Sequence, residues 1–369
     1  MDQAHPALPI LDRLLDASSV SGNEGAMATI VRALLEERQI AHETDPAGNV
    51  LVRLNGRNSD APLVCLAAHM DEIGMTVSRI DADGGLRVKR SGGLYPYKLG
   101  EGPVEIVGDH ETLLGVVSMG STHTADAAQR AVTWNDVRVI TGHTPAQLAA
   151  AGVRPGTTVA LRRTMRGPLL FGDPADPLAA AWTFDDRAGV MTLLRLLEAA
   201  QREGITPHQP TLIAFTVGEE VGGLGAKSLC VRERPEIFIA VDGSPIPPEV
   251  DVQIDGRPCI WTRDRLAPYD ALLVRDFGAL AAAAGTSLQY AAYDSAASEA
   301  GRVRYAGLAP RIACVGHVRE NSHGYEVARL SVFDNVLAVL LKFLSDWKSR
   351  ELNRCGAGVA SGERLRDAC

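Results

Sequence analysis

Residues 211–223 read Thr-Leu-Ile-Ala-Phe-Thr-Val-Gly-Glu-Glu-Val-Gly-Gly, an uncharged run that ends in two adjacent carboxylates and a glycine-rich break. A run of this kind has no polar face to turn toward water. It reads as a strand covered on both sides, as at the centre of an α/β sheet. Glu219 and Glu220 then stand at the strand's end. Adjacent like charges raise one another's free energy unless something compensates them. On a strand the two side chains would face opposite ways, but Gly218, Gly222 and Gly223 loosen the backbone there, so both can turn into one site.

The same texture recurs on either side. PLVCLAAH (62–69), EIFIAVD (236–242) and RIACVGH (311–317) are further buried-strand candidates, and NVLVRLNG (49–56) reads as a strand. ILDRLLDASSV and SGNEGAMATIVRALLEERQI read as helices, the second with Ser21 and Glu24 at capping-box spacing. DRAGVMTLLRLLEAAQREG (186–204) puts Val190, Leu193, Leu194 and Leu197 on one helical face, and SVFDNVLAVLLKFLSDWKSREL (331–352) reads as a closing helix. Between 75 and 167 the pattern changes to short β-like pieces punctuated by Gly, Asp and Pro: MTVSRI, GLRVKR, PVEIVG, TLLGVVS, DVRVITG and TTVALRR. That is the signature of a small all-β barrel or sandwich. The expectation is an α/β fold whose central mixed sheet is flanked by helices. Its catalytic domain occupies 1–74 and 168–352, a β-barrel domain is inserted at 75–167, and the Gly/Ala/Ser-rich tail at 353–369 reads as disordered.

Composition narrows the partners. Of the 369 residues 46% are apolar and 22% charged, which suits a globular protein with a sizeable core. A net charge of −8 with no Lys/Arg cluster argues against a nucleic-acid partner. No run approaches the roughly 18 uncharged apolar residues of a membrane span. The opening MDQAHPALPILDRLL carries acidic residues where a secretory signal is basic, so a cytoplasmic protein is expected. Cys65, Cys230, Cys259, Cys314, Cys355 and Cys369 form no CxxC pair and read as free thiols.

In open α/β sheets ligands gather beyond the carboxyl ends of the strands. PLVCLAA runs into His69, Met70 and Asp71; TLIAFTV into Glu219 and Glu220; EIFIAV into Asp242. Asp185 and Asp186 precede the 186–204 helix, and His323 follows RIACVGH in NSHGYE. Singly, each has an ordinary reading: a helix cap for the aspartates, a turn residue for Asp242, a loop histidine for His323. Converging on one rim, they favour a metal site. Histidine and carboxylates without cysteine suit zinc, cobalt or manganese in a catalytic centre. One histidine per metal with a shared carboxylate suits paired ions about 3.5–4 Å apart, which polarise a carbonyl and hold a water of lowered pKa. A free carboxylate must still take that water's proton and deliver it to the leaving amine.

HMDEIGM, FDDRAGV, GEEVGGLGA, AVDG and NSHGYE stand in an order and spacing that resemble the tetrahedral aminopeptidases, the glutamyl and deblocking aminopeptidase family of cytoplasmic co-catalytic metallopeptidases. The resemblance runs from SGNEG at residue 21 to the closing helix. It includes WNDVRVITGHTPAQLAAAGVRPGTTV, similar to the family's dimerisation domain. It implies a zinc-exopeptidase-like (phosphorylase/hydrolase-like) fold and a metal-dependent removal of N-terminal residues from short peptides. By the same resemblance His69 and Asp242 hold one divalent ion, Glu220 and His323 the other, and Asp185 bridges them. Glu219 is the general base and acid. Asp71 accepts a hydrogen bond from the His69 imidazole and fixes its tautomer, while Asp186 and Arg187 are neighbours of the bridge. Zinc is the first expectation for the ions, with cobalt and manganese compatible. The expected assembly is a homo-oligomer, a dimer through the inserted domain that can build a tetrahedral dodecamer.

The chain departs from the family pattern at GSPIPPEVDVQIDGRPCIW after Asp242, at YDSAAS (293–298) where Thr-Asp-Ala is common, and at VRENSHGYE in place of Arg-Tyr-x-His. These stretches lie near where substrate side chains bind, so the preferred N-terminal residue is not set by the motifs. His123, in GSTHTAD, is left unassigned. Two other readings are a related deacylase or amidase using the same metal pair, and a non-catalytic assembly protein, against which the complete ligand set argues.

Overall fold

The structure is a computed structural model that describes residues 5–123 and 130–349; the 353–369 tail, with Cys355 and Cys369, lies outside the described residues. Its centre is an eight-stranded mixed sheet. In spatial order the strands are Glu43–Thr44, Val50–Leu54, Thr211–Thr216, Val64–His69, Ile237–Val241, Arg311–Gly316, Cys259–Arg263 and Gln289–Ala292. Thr211–Thr216 pairs parallel with Val64–His69, and that strand pairs parallel with Ile237–Val241, which in turn pairs with Arg311–Gly316. All four are buried along their whole length. Their sequences show no alternation because both faces are covered.

On one face the helices Ala7–Leu15, Gly25–Glu37, Phe184–Glu203, Ala271–Ala283 and Ser331–Asp346 share one apolar core. Leu224–Glu233 and Glu299–Tyr305 build a second core on the other. Each fully buried Leu, Ile or Phe contributes about 1.5–3 kcal/mol, and these two cores fix the sheet's register. Thr216 lies opposite His69, and Val241 opposite Val315. Parallel strands in matched register end at one level, so the residues following them form a common rim.

The six β-like pieces of the 75–167 stretch become Gly74–Ile80, Leu86–Ser91, Gly102–Val107, Thr112–Ser118, Arg138–Ile140 and Thr158–Leu161, which close into a barrel. Met75, Val77, Val104, Ile106, Val139 and Val159 fill its interior. The chain leaves the sheet after His69, enters the barrel at Gly74 and returns through the strands Leu169–Phe171 and Leu178–Trp182, which form a three-stranded sheet with Tyr325–Arg329.

The structure corrects several details. Ser21 and Glu24 do not form a capping box: the helix begins at Gly25 without a side-chain cap. Ser21 Oγ instead donates to Asp71 Oδ2 at 2.7 Å, and Glu24 Oε1 accepts from the Gly218 amide at 3.1 Å. The closing helix stops at Asp346 because Trp347 turns extended, stacks on Phe343 and donates its indole N–H to Asp276 at 3.0 Å. The strand Leu178–Trp182 carries no β signal in its alanines, yet pairs along its whole length with Tyr325–Arg329. Cys65, Cys230, Cys259 and Cys314 are buried and free. Among the described residues no helix is long and apolar enough to cross a membrane.

Candidate metal centre

His69 ends its strand with its side chain buried. Its Nδ1 lies 3.0 Å from the Asp71 backbone carbonyl and its Nε2 3.0 Å from Asp185 Oδ1; with the Nδ1 proton given to that carbonyl, Nε2 would be the nitrogen left to bind a cation. On the other side His323 Nε2 lies 3.3 Å from Asp185 Oδ2 and 3.6 Å from Glu220 Oε1. Asp185 therefore offers one oxygen to each imidazole. The ligand-capable atoms fall into two groups, His69 with Asp186 and Asp242, and Asp185 with Glu220 and His323. Asp186 belongs to the first by proximity, but its oxygens already accept the His69 amide at 3.2 Å and the Gly189 amide at 3.0 Å.

Backbone conformation aims these groups. Thr183 (φ 61°), Asn321 (φ 58°) and His323 (φ 58°) sit in the left-handed region, which non-glycine residues adopt only where surrounding contacts hold them. Glu326, fully buried, holds the His323 turn, Oε1 accepting the His323 amide at 3.0 Å while Oε2 accepts the Asp185 amide at 2.9 Å. Thr183 is held by Arg187 Nη1 at 2.6 Å, and Asn321 donates to the Tyr325 carbonyl at 3.2 Å.

The two glutamates of the opening stretch are turned by Asp71. Its carboxylate accepts the Glu219 amide at 2.9 Å and the Glu220 amide at 3.1 Å, together with the Ser21 hydroxyl. The His69 ring lies 3.5 Å from that carboxylate and nearer the Asp71 carbonyl. Asp71 thus braces the turn as well as the imidazole. After the turn Glu219 Oε1 accepts from Arg302 Nε at 3.0 Å. Glu220 Oε1 is buried without a hydrogen-bond partner. An orphaned carboxylate oxygen aimed into a His/Asp/Glu cluster fits a divalent cation, because an unpaired buried anion is otherwise costly.

The electrostatics agree. Burial, reinforced by Asp185 against the opposing pull of His323, pushes Glu220 up to about 8. Burial and then Asp185 push Asp242 up to about 7. Burial and then Asp242 hold Asp186 well above the carboxylate range. Burial raises Glu219 too, opposed by His69 and Arg302. Asp185 is the exception: Arg319 and the two imidazoles outweigh burial and hold it well below its ordinary value. For His323 burial opposes the charge, but Glu220 and Asp185 prevail and raise it to about 10. The rim carries more buried carboxylate than its own cations neutralise.

Three partners of this site gave no signal in the sequence reading. Arg319 donates through Nη2 to Asp185 and lies 2.9 Å from Glu326. Glu326 and Arg302 are the others. Arg319 and Glu326 lie in VRENSHGYE, the stretch where the motif departs. A cavity of about 450 Å³ opens over the site, with Asp185, Glu219, Glu220, Asp242 and His323 on its wall. The departing stretches contribute Pro245, Pro247 and Ser295 through Ala297 to the same wall. His123 is exposed, and its ring meets Ser121 at 3.3 Å. His317 is buried against Phe184 and Phe333, and burial depresses it to about 3, so it is a core histidine.

The sequence profile of the M42 glutamyl aminopeptidase family matches residues 48–339. The chain is 29% identical over 257 residues to the glutamyl aminopeptidase of Lactococcus lactis, covering 63% of this chain. It is 30% identical over 241 residues to the lysyl aminopeptidase of Pyrococcus furiosus, again covering 63% of this chain. The match spans 65% of either relative's own length. The fold is that of the Pyrococcus horikoshii TET1 peptidase, described as assembling into a tetrahedron or a large octahedral shell (TM-score 0.80, 22% identity, 92% of this chain and 100% of that one).

Proposed function

The chain belongs to the M42 glutamyl aminopeptidase family, and from that premise we propose that it is a cytoplasmic dinuclear metalloaminopeptidase that removes N-terminal residues from short peptides. The observation that carries this reading is Asp185, whose two oxygens face two imidazoles, the buried ring of His69 and the half-buried ring of His323. His69 and Asp242 would hold one ion and Glu220 and His323 the other, with Asp185 available to both. Asp186 is left out because both its oxygens already serve backbone amides. A pair of divalent ions, zinc in the first place, supplies Lewis-acid polarisation of the scissile carbonyl and a water of lowered pKa.

The chain's own residues do the rest. Glu219 is free of the ligand set, lies beside it on the cavity wall, and takes the proton of the attacking water. It returns that proton to the leaving amine nitrogen. Asp71 fixes the turn that separates the two glutamates. Glu326 keeps Asp185 and the turned backbone of His323 in place.

The 75–167 barrel is proposed as the assembly domain. Leu114, Val116 and Ile140 stand exposed on its neighbouring strands, and Val116 pairs directly with Ile140. Such a stripe supports a dimer through the barrel, the unit from which a tetrahedral dodecamer is built.

A panel of aminoacyl and N-acyl substrates, assayed with zinc, cobalt or manganese as the sole added ion, tests the activity. Hydrolysis of free-amine substrates only is expected. Preferential cleavage of N-acyl substrates would replace the aminopeptidase with a deacylase.

A further inference from the structure

Glu219 follows a glycine and stands over a cavity, so its neighbour alone does not explain why its carboxylate stays in place. Arg302 does. Its Nε donates to Glu219 Oε1 at 3.0 Å, which leaves Oε2 for a proton in transit. The arginine is half-buried on the helix Glu299–Tyr305, on the cavity wall facing the metal cluster. Its stem lies over Gly223, where an added Cβ would come within 2.9 Å of Arg302 Cδ. The glycine-rich break thus makes room for the arginine as well as for the turn.

Both partners stand on a rigid mount. Thr216, the last residue of the strand that leads to Glu219, donates its hydroxyl to Glu299 at 2.8 Å, which ties that strand to the first turn of the Arg302 helix. Asp264 accepts the Ser298 amide at 3.2 Å and the Tyr269 hydroxyl at 3.1 Å, while Tyr269 and Ser298 meet at 2.8 Å. Ser298 is the cap of the same helix. The guanidinium and the carboxylate therefore belong to two elements cross-braced within one buried network, the condition for a fixed rotamer at a reacting group.

We propose that Arg302 is a positioning residue, which holds the Glu219 carboxylate in the rotamer that meets the attacking water. This rests on Glu219 being the general base. Its side-chain hydrogen bond goes to Glu219, while Glu220 feels it only as a nearby charge, so metal content is measured beside turnover to separate the two.

The test compares R302M, R302K and E219Q in the metal-loaded enzyme with a neutral aminoacyl substrate. R302M should lower kcat about 10- to 30-fold while KM stays within about twofold, since orientation at the reacting centre is lost and ground-state binding is not. Metal content should equal that of the wild type. Guanidinium chloride at millimolar concentration should restore part of the R302M rate, and R302K should fall between R302M and wild type. A kcat for R302M within twofold of wild type overturns the proposal, as does a parallel loss of kcat, KM and thermal stability without rescue by guanidinium or by lysine, which is the pattern of a packing role. E219Q separates the two layers. If it is inactive while R302M is normal, only the positioning role fails; if E219Q itself turns over normally, the base assignment fails first.

Discussion

Two buried charge clusters lie side by side in this protein, and they solve the same problem in opposite ways. Glu72 sits between Arg166, at 3.4 Å, and Arg187, at 3.3 Å, and accepts the Ser19 amide at 2.8 Å. The two guanidiniums spend other N–H groups on the carbonyls of Leu161, Ala17 and Leu14. Burial opposes the Glu72 charge, but Arg166 and Arg187 prevail and hold it below the ordinary range. At the rim a similar burial leaves Glu220 at about 8 and Asp242 at about 7, because one carboxylate meets another. A buried network whose charges are matched is a joint, here between the start of the barrel and the helix Phe184–Glu203. One that keeps a surplus of anion is a cation site.

The comparison breaks most sharply at Asp185. D185N removes the carboxylate proposed to be shared while keeping its shape, and on that proposal both ions should be lost together with all measurable turnover. Elemental analysis after gel filtration checks it; retention of one ion per chain would show that Asp185 is not shared. At the joint the expectation is reversed. E72Q strands two buried guanidiniums and should cost about 3–5 kcal/mol of stability, read by denaturant unfolding, while the surviving folded protein binds metal as before. Metal loss in E72Q without a stability change would erase the distinction between the clusters.

A subtler effect is the pH dependence of the metal-free protein. Glu220 and Asp242 have folded values raised above their unfolded ones of 4.5 and 3.8. Such groups contribute stability that is fully present below the unfolded value and is lost as pH rises through the folded one. His323, raised from 6.5 to about 10, acts in the same direction over its own window. The metal-free protein should therefore lose stability between about pH 4 and 8, and bound divalent ions should flatten that slope. A slope of opposite sign, or one indifferent to metal, would count against the surplus of buried anion.

The architecture was legible because the strongest sequence signals report burial. PLVCLAAH and TLIAFTV lack polar alternation, and both are central strands; the punctuated pieces from 75 to 161 each became a barrel strand. Leu178–Trp182 was not legible, because its alanines have no strand preference and pairing with Tyr325–Arg329 decides its state. At the site, residues at strand ends could be read as a rim from spacing alone. Glu72 and Arg187 stand next to Asp71 and Asp186 in HMDE and FDDR, so sequence could not assign them to a different cluster. Ser21 and Glu24 looked like a helix cap because the spacing of a cap and of two contacts to the rim is the same. Arg302, Arg319 and Glu326 reach the site only through folding, and a lone charge carries no record of its partner.

The central claim is that the two adjacent glutamates have separate duties, Glu220 holding metal and Glu219 moving protons. E219Q measured for metal content and turnover on one preparation tests it most directly. The account predicts wild-type metal content with turnover reduced about a thousandfold. Near-normal turnover, or loss of metal along with activity, would contradict it.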